Sequence, residues 1–192
     1  REDNHIIRHA LETNGLVHNE FLVFAKSAMD DVDYTYTGRP FGGIAMLCKQ
    51  NEKLSFHELD TPSTRVLPVA MTDASGTIIQ VLMSVYLPYY DHASSEQTEL
   101  FLEIIDAMQC IIDNYAMLAS MKILGDMNVQ LPQDDKLHSK WYKKSGFNNH
   151  SKILYDFMVA NDLMAADFIN ITGETYSFLI IREVYILGLI MC

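Results

Sequence analysis

The apolar pair Ile123-Leu124 runs into Gly125-Asp126-Met127-Asn128, which sets a carboxylate and a carboxamide two positions apart. Alternate side chains of an extended chain share a side, so Asp126 and Asn128 would face the same way. Such a pair at a strand end can orient a water molecule and hold a phosphate oxygen. The same residues also suit an Asx turn, and taken alone they favour it. Upstream, Val85-Tyr86-Leu87-Pro88 places a phenol at the end of a second apolar run. Its hydroxyl can donate to a phosphate, or simply stay wet at the margin of a core. A third segment, Gly38-Arg39-Pro40-Phe41-Gly42-Gly43, offers a guanidinium among glycines. Arg39 would suit a phosphate oxygen. The segment lacks the spacing of a nucleotide-binding loop, and a plain turn into a strand accounts for its glycines.

Other constellations point to less. His5 and His9 stand four apart on an expected helix without an evident third ligand, so a solvated face is the reading. Asp30, Asp31 and Asp33 form an acidic loop whose glycine spacing is wrong for a Ca²⁺ loop. Lys136 to Lys144, with His138, Trp141 and Tyr142, mixes bases with aromatics. It could touch nucleic acid by stacking and charge, and alone it reads as a surface loop. Cys48, Cys110 and Cys192 are far apart and odd in number, which argues against both a zinc site and a disulfide framework.

These residues need elements to hold them. Periodicity predicts a short helix over Asn4 to Leu16 and a strand over Glu20 to Phe24. Gly42 to Cys48 reads as a buried strand. Thr64 to Met71 and Thr77 to Tyr86 read as a β-hairpin about the turn Asp73-Ala74-Ser75-Gly76, with Pro68 at an edge or bulge. Ser94 and Gln97 have capping-box spacing ahead of a helix ending near Ala119. In that helix Phe101, Ile105, Met108 and Ile112 should be buried, with Glu99, Glu103 and Asp113 in water. Met121 to Leu124 is a short strand, and Ser151 to Asn161 a second helix burying Ile153, Leu154, Phe157 and Met158. The mixture predicts an α/β (α+β) fold with a largely antiparallel sheet.

The 192 residues are 49% hydrophobic and 20% charged, which is globular and excludes intrinsic disorder. The formal net charge of -11 speaks against binding duplex DNA by charge alone. No apolar leader opens the chain, so an intracellular compartment is expected. The apolar tail from Phe178 carries Arg182 and Glu183 and is too short to span a bilayer, so no membrane partner is expected.

In this order the segments resemble the endonuclease/exonuclease/phosphatase family, in the form found in LINE-type (non-LTR) retrotransposon endonuclease domains. Gly38 to Leu47 is similar to the family's glycine-rich entry into a core strand. Ser84-Val85-Tyr86-Leu87-Pro88 resembles its tyrosine motif, and Ile123 to Asn128 its Gly-Asp-Phe-Asn signature with Met127 in the aromatic position. Ile153 to Phe157 with Asn161-Asp162-Leu163 resembles the segment that follows, and Thr175-Tyr176-Ser177 the Thr-aromatic-Ser turn. The likeness runs from about Phe24 to Ser177.

The resemblance implies two packed β-sheets flanked by helices, a four-layer sandwich, and Mg²⁺-assisted phosphodiester hydrolysis that nicks DNA. Asp126 would orient or deprotonate the attacking water, Asn128 would hold that water or a phosphate oxygen, and Tyr86 would contact the phosphate. Asn128, Tyr86 and Arg39 would then be the substrate-binding residues. The family's metal-binding glutamate, set in a Gln-Glu strand, and its terminal Asp-His pair have no counterpart here. Residues 1–192 are therefore expected to be one domain incomplete at both ends, with no identified metal ligands and Mg²⁺ weakly bound or absent. DNA is the expected partner if the chain is active, with a reverse transcriptase region in a longer parent chain and a nuclear location. The other reading is a catalytically inactive retroelement-derived fragment that keeps the fold.

Overall fold

The computed structural model describes residues 21–27, 43–90, 95–129, 131, 148–165 and 178–182. The chain runs β1 (Phe21–Lys26), β2 (Ile44–Lys49), β3 (Leu54–Glu58), β4 (Val66–Asp73) and β5 (Ile78–Tyr86). It continues as α1 (Ser95–Tyr115), β6 (Ser120–Asp126), α2 (Asn149–Ala160), β7 (Met164–Ala165) and β8 (Phe178–Arg182). β1 and β2 form a two-stranded sheet, and the other strands a six-stranded sheet in the order β3-β4-β5-β6-β8-β7. The fold is α/β, with two packed sheets and helices. Among the described strands every pairing is antiparallel except β5 with β6. A parallel pair needs a crossover, and α1 supplies it.

Strand alternation builds the layers. On β4 and β5, Val66, Ala70, Val81, Met83 and Val85 face one way and join the α1 stripe of Phe101, Ile104, Met108 and Ile111 in the main core. Leu67 and Val69 face the other way and meet Ile44, Met46 and Cys48 of the small sheet, with Leu82 and Tyr86 against them. The large sheet is thus covered on one face by helices and on the other by β1–β2. The expected four-layer sandwich has three of its layers among the described residues, and the helix expected over Asn4 to Leu16 lies outside them. Among the described residues no helix is long and apolar enough to cross a membrane.

The expected stripe on α1 is buried, and Glu99, Glu103 and Asp113 are exposed. The helix stops at Tyr115, short of Ala119, and a turn follows. α2 begins earlier than expected because the Asn148 side chain accepts from the Ser151 N–H at 2.9 Å and caps it. It buries Leu154, Phe157 and Met158 as expected, with Ile153 only partly buried. β3 was not expected.

The position of Pro68 is a correction. It lies in β4, an interior strand, opposite Met83, while the bulge falls between Met71 and Thr72. The Pro68 carbonyl accepts from the Leu59 N–H at 2.9 Å, so its missing N–H would point towards the β3 side. β3 ends at Glu58 opposite Val69, so the bond that Pro68 cannot donate falls just past the end of that strand.

Candidate phosphodiester site

The site grows out of strand register. β5 and β6 run parallel with Val85 opposite Gly125 and Tyr86 opposite Asp126. Paired residues of neighbouring strands project to one face, so Tyr86 and Asp126 share the face that looks towards the small sheet. Forty positions apart in sequence, they lie at one end of one sheet. Gly125 permits this close approach. Its φ is 140°, and a Cβ there would overlap the Val85 carbonyl oxygen and lie 2.9 Å from its carbon. The Leu87 N–H donates to the Asp126 carbonyl at 2.9 Å, extending the ladder past the end of β5.

Beyond Asp126 the chain turns. Asp126 Oδ1 accepts from the Asn128 N–H at 3.1 Å, the geometry of an Asx turn, and Asn128 adopts a φ of 47°. Asn128 is therefore positioned by that turn rather than by strand alternation, a correction to the expectation. Its Nδ2 donates to the Leu87 carbonyl at 2.9 Å, which ties the amide to the end of β5. Fully buried Met127 anchors the turn from the core side. The turn and the functional arrangement coexist: the hydrogen bond holds one carboxylate oxygen and leaves the other. Asp126 is exposed, not partly buried as expected, because the strand delivers it past the rim of the core.

A third strand contributes a cation that sequence reasoning missed. The Tyr86 N–H donates to the Arg65 carbonyl at 3.1 Å, one position beyond the Val66–Val85 pair. The Arg65 guanidinium carbon sits 5.2 Å from the centroid of the Tyr86 ring. Arg65, Tyr86 and Asp126 thus form a row across β4, β5 and β6. The signal for Arg65 was a base near the start of the first strand of the predicted hairpin, Thr64 to Met71. The bulge decided the rest. From Thr72 opposite Ile78 the pairing shifts to Met71 opposite Gln80, and this slip places position 65 beside Tyr86 instead of core-facing Val85.

Lys26, at the end of β1, steadies the approach to Arg65. Its Nζ donates to the Ser63 carbonyl at 3.2 Å and the Thr61 carbonyl at 3.5 Å, and lies 3.8 Å from Glu58. Burial pulls its pKa down, opposed by the charges of Glu58 and Asp60. Ser63 Oγ in turn accepts from the Arg65 N–H at 3.1 Å.

On the helix side of the site, fully buried His150 stacks on Phe101 with ring centroids 4.1 Å apart and meets Tyr90 edge-on at 4.8 Å. Its Nε2 lies 3.3 Å from Thr98 Oγ1, and among the described residues Nδ1 has no hydrogen-bond partner. Burial lowers its pKa; the nearby Pro88 carbonyl opposes that shift without making a well-formed bond to Nδ1.

Arg39, the Asp30–Asp33 loop, His5, His9, Trp141 and Thr175-Tyr176-Ser177 lie outside the described residues. Among the described residues no three His, Cys, Asp or Glu side chains come together as a metal cluster. At the row itself, Asp126 is a single carboxylate beside an amide already tied to backbone. Mg²⁺ takes near-octahedral oxygen ligation, with carboxylates and substrate phosphate completing its waters. The described residues by themselves do not make that set.

The chain matches no protein-family model and no curated protein. Among solved structures it is similar to the 3′-phosphatase NExo from Neisseria bound to a product DNA hairpin, at 15% identity and a TM-score of 0.48. That match covers 91% of this chain and 81% of the other. The catalytic domain of human Nocturnin with a bound sulfate anion is similar at 9% identity and a TM-score of 0.47, over 93% and 65% of the two chains. An AP endonuclease from Archaeoglobus fulgidus is similar at 16% identity and a TM-score of 0.41, over 81% and 64%. All three are likenesses at low identity, and the chemistry of the site stands on its own residues.

Proposed function

We propose that this chain is a domain of the endonuclease/exonuclease/phosphatase type whose Arg65–Tyr86–Asp126 row binds a phosphodiester of DNA. The single observation that carries the reading is the row itself, built on three adjacent strands with Asn128 laced to β5. A guanidinium neutralises a phosphate oxygen, and a phenol donates to another. The carboxylate oxygen of Asp126 outside the Asx turn can orient a water and take its proton. Asn128 keeps its side-chain carbonyl and a second N–H for that water or for a phosphate oxygen.

In this reading the chain nicks DNA, with retroelement integration as the setting, a nuclear location, and a reverse transcriptase region as a partner in a longer parent. Mg²⁺ would need oxygen ligands beyond Asp126. That single carboxylate favours a second reading, a retroelement-derived fragment that holds phosphate without cleaving it. Incubation of supercoiled plasmid with the purified chain and Mg²⁺ separates the two. Nicking that Asp126→Ala abolishes supports the nuclease. Nicking indifferent to Asp126→Ala and Tyr86→Phe would refute the assigned site. Absence of nicking, with Arg65-dependent binding of oligonucleotides, supports the non-cleaving fragment.

A further inference from the structure

Three residues beyond Tyr86 the chain presents Tyr89, which is 74% exposed and belongs to neither core cluster. An aromatic ring left in water contributes little to folding, and on a floppy loop it would be unremarkable. Its neighbours are anchored on both sides. Leu87 is fully buried, donates to the Asp126 carbonyl and accepts from Asn128 Nδ2, each at 2.9 Å. Pro88 is buried, and its ring fixes φ. Tyr90 rests edge-on against His150, itself stacked on Phe101. The backbone of Tyr89 is therefore held by the same contacts that position the row. A tyrosine so held has only two side-chain torsions to fix on meeting a ligand.

We infer that Tyr89 is a stacking platform for an unpaired nucleic-acid base next to the phosphate held by Arg65 and Tyr86. The inference rests on the phosphodiester reading of that row and narrows its substrate class to nucleic acid with an unstacked base. Three residues of chain span at most about 10 Å, so a base adjoining a phosphate at Tyr86 falls within reach of the ring. With a net charge of -11, the chain draws little affinity from counterion release, so ring-on-base contact has to supply a larger share.

The test is fluorescence anisotropy with the full chain in EDTA. It uses two labelled single-stranded oligomers of equal length, one bearing bases and one built of abasic sugar-phosphate units. Wild type should bind the base-bearing oligomer more tightly than the abasic one. Tyr89→Ala should weaken binding to the base-bearing oligomer on the order of tenfold and leave the two oligomers alike, while Tyr89→Phe and Tyr89→Trp retain wild-type affinity. The exposure of Tyr89 makes all three variants fit to fold, which far-UV circular dichroism checks. Wild-type affinity in Tyr89→Ala, or a loss in Tyr89→Phe equal to that in Tyr89→Ala, overturns the platform. So does wild type that binds neither oligomer. Abasic-oligomer binding that Arg65→Ala leaves intact sinks the phosphate reading of the row, and with it the placement of the base beside that phosphate, even where the base-dependent contrast at position 89 holds.

Discussion

Replacing Gly125 with alanine probes whether the row depends on the close approach of β5 and β6. The added Cβ would overlap the carbonyl oxygen of Val85 and lie 2.9 Å from its carbon and 3.0 Å from its nitrogen. All three are backbone atoms, so no side chain can swing aside. The φ of 140° adds strain for any residue with a Cβ, on the order of 1–3 kcal/mol. Relief requires the strands to part where Val85 faces Gly125 and Tyr86 faces Asp126. That movement sacrifices the Leu87–Asp126 hydrogen bond, worth about 1 kcal/mol, with a similar loss for each further ladder bond broken. The sum is about 3–5 kcal/mol, a large share of the roughly 5–15 kcal/mol that holds a domain together. Urea unfolding followed by circular dichroism should show the midpoint falling by about 1–3 M. Binding of the abasic oligomer should weaken under conditions where the variant is still folded, because Tyr86 and Asp126 no longer share a rim. A Gly125→Ala protein with the wild-type midpoint and wild-type oligomer binding would refute the argument that this glycine sets the strand spacing.

Phe101→Ala should cost about 3–5 kcal/mol in urea unfolding, since the ring is fully buried and its loss also strips the stack from His150. His150 should make stability fall on acidification. Burial holds its folded pKa below the unfolded value, so its contribution is fully present above about pH 6.5 and is lost as pH drops below it. Urea midpoints at pH 7.5 and 5.5 should therefore differ less in His150→Phe than in wild type, and an equal pH dependence would contradict this. Cys48 is buried and its thiol is pushed up to about 11 by burial, whereas Cys110 is exposed. Iodoacetamide at pH 8, read by peptide mapping, should label Cys110 well before Cys48, and denaturant should abolish the difference.

The elements that carry the site were legible because their signals are local. The α1 stripe follows from helical periodicity, and the hairpin of β4 and β5 from two apolar runs about Asp73-Ala74-Ser75-Gly76. β3 escaped notice because its five residues, Leu54 to Glu58, carry only two apolar side chains and are mostly exposed. Asp126, Asn128 and Tyr86 were named as candidates because their segments, in order, resemble a family's motifs, whereas taken alone Asp126 and Asn128 favour an Asx turn. That Tyr86 and Asp126 converge depends on a parallel pairing across the α1 crossover, and no local preference encodes that contact.

The sequence by itself determined which segments are apolar enough to be strands and helices, where they turn, and which polar residues stand at their ends. Tertiary structure alone decided register. A single bulge between Met71 and Thr72 moves Arg65 from beside a core residue to beside Tyr86, because a slip of one residue exchanges the faces of a strand. It also decided exposure: the carboxylate of Asp126 reaches water, and the imidazole of His150, a polar side chain in a polar stretch of sequence, lies fully buried between Phe101 and Tyr90. Burial and register arise from contacts between segments far apart in the chain, whereas periodicity and turn chemistry arise within them.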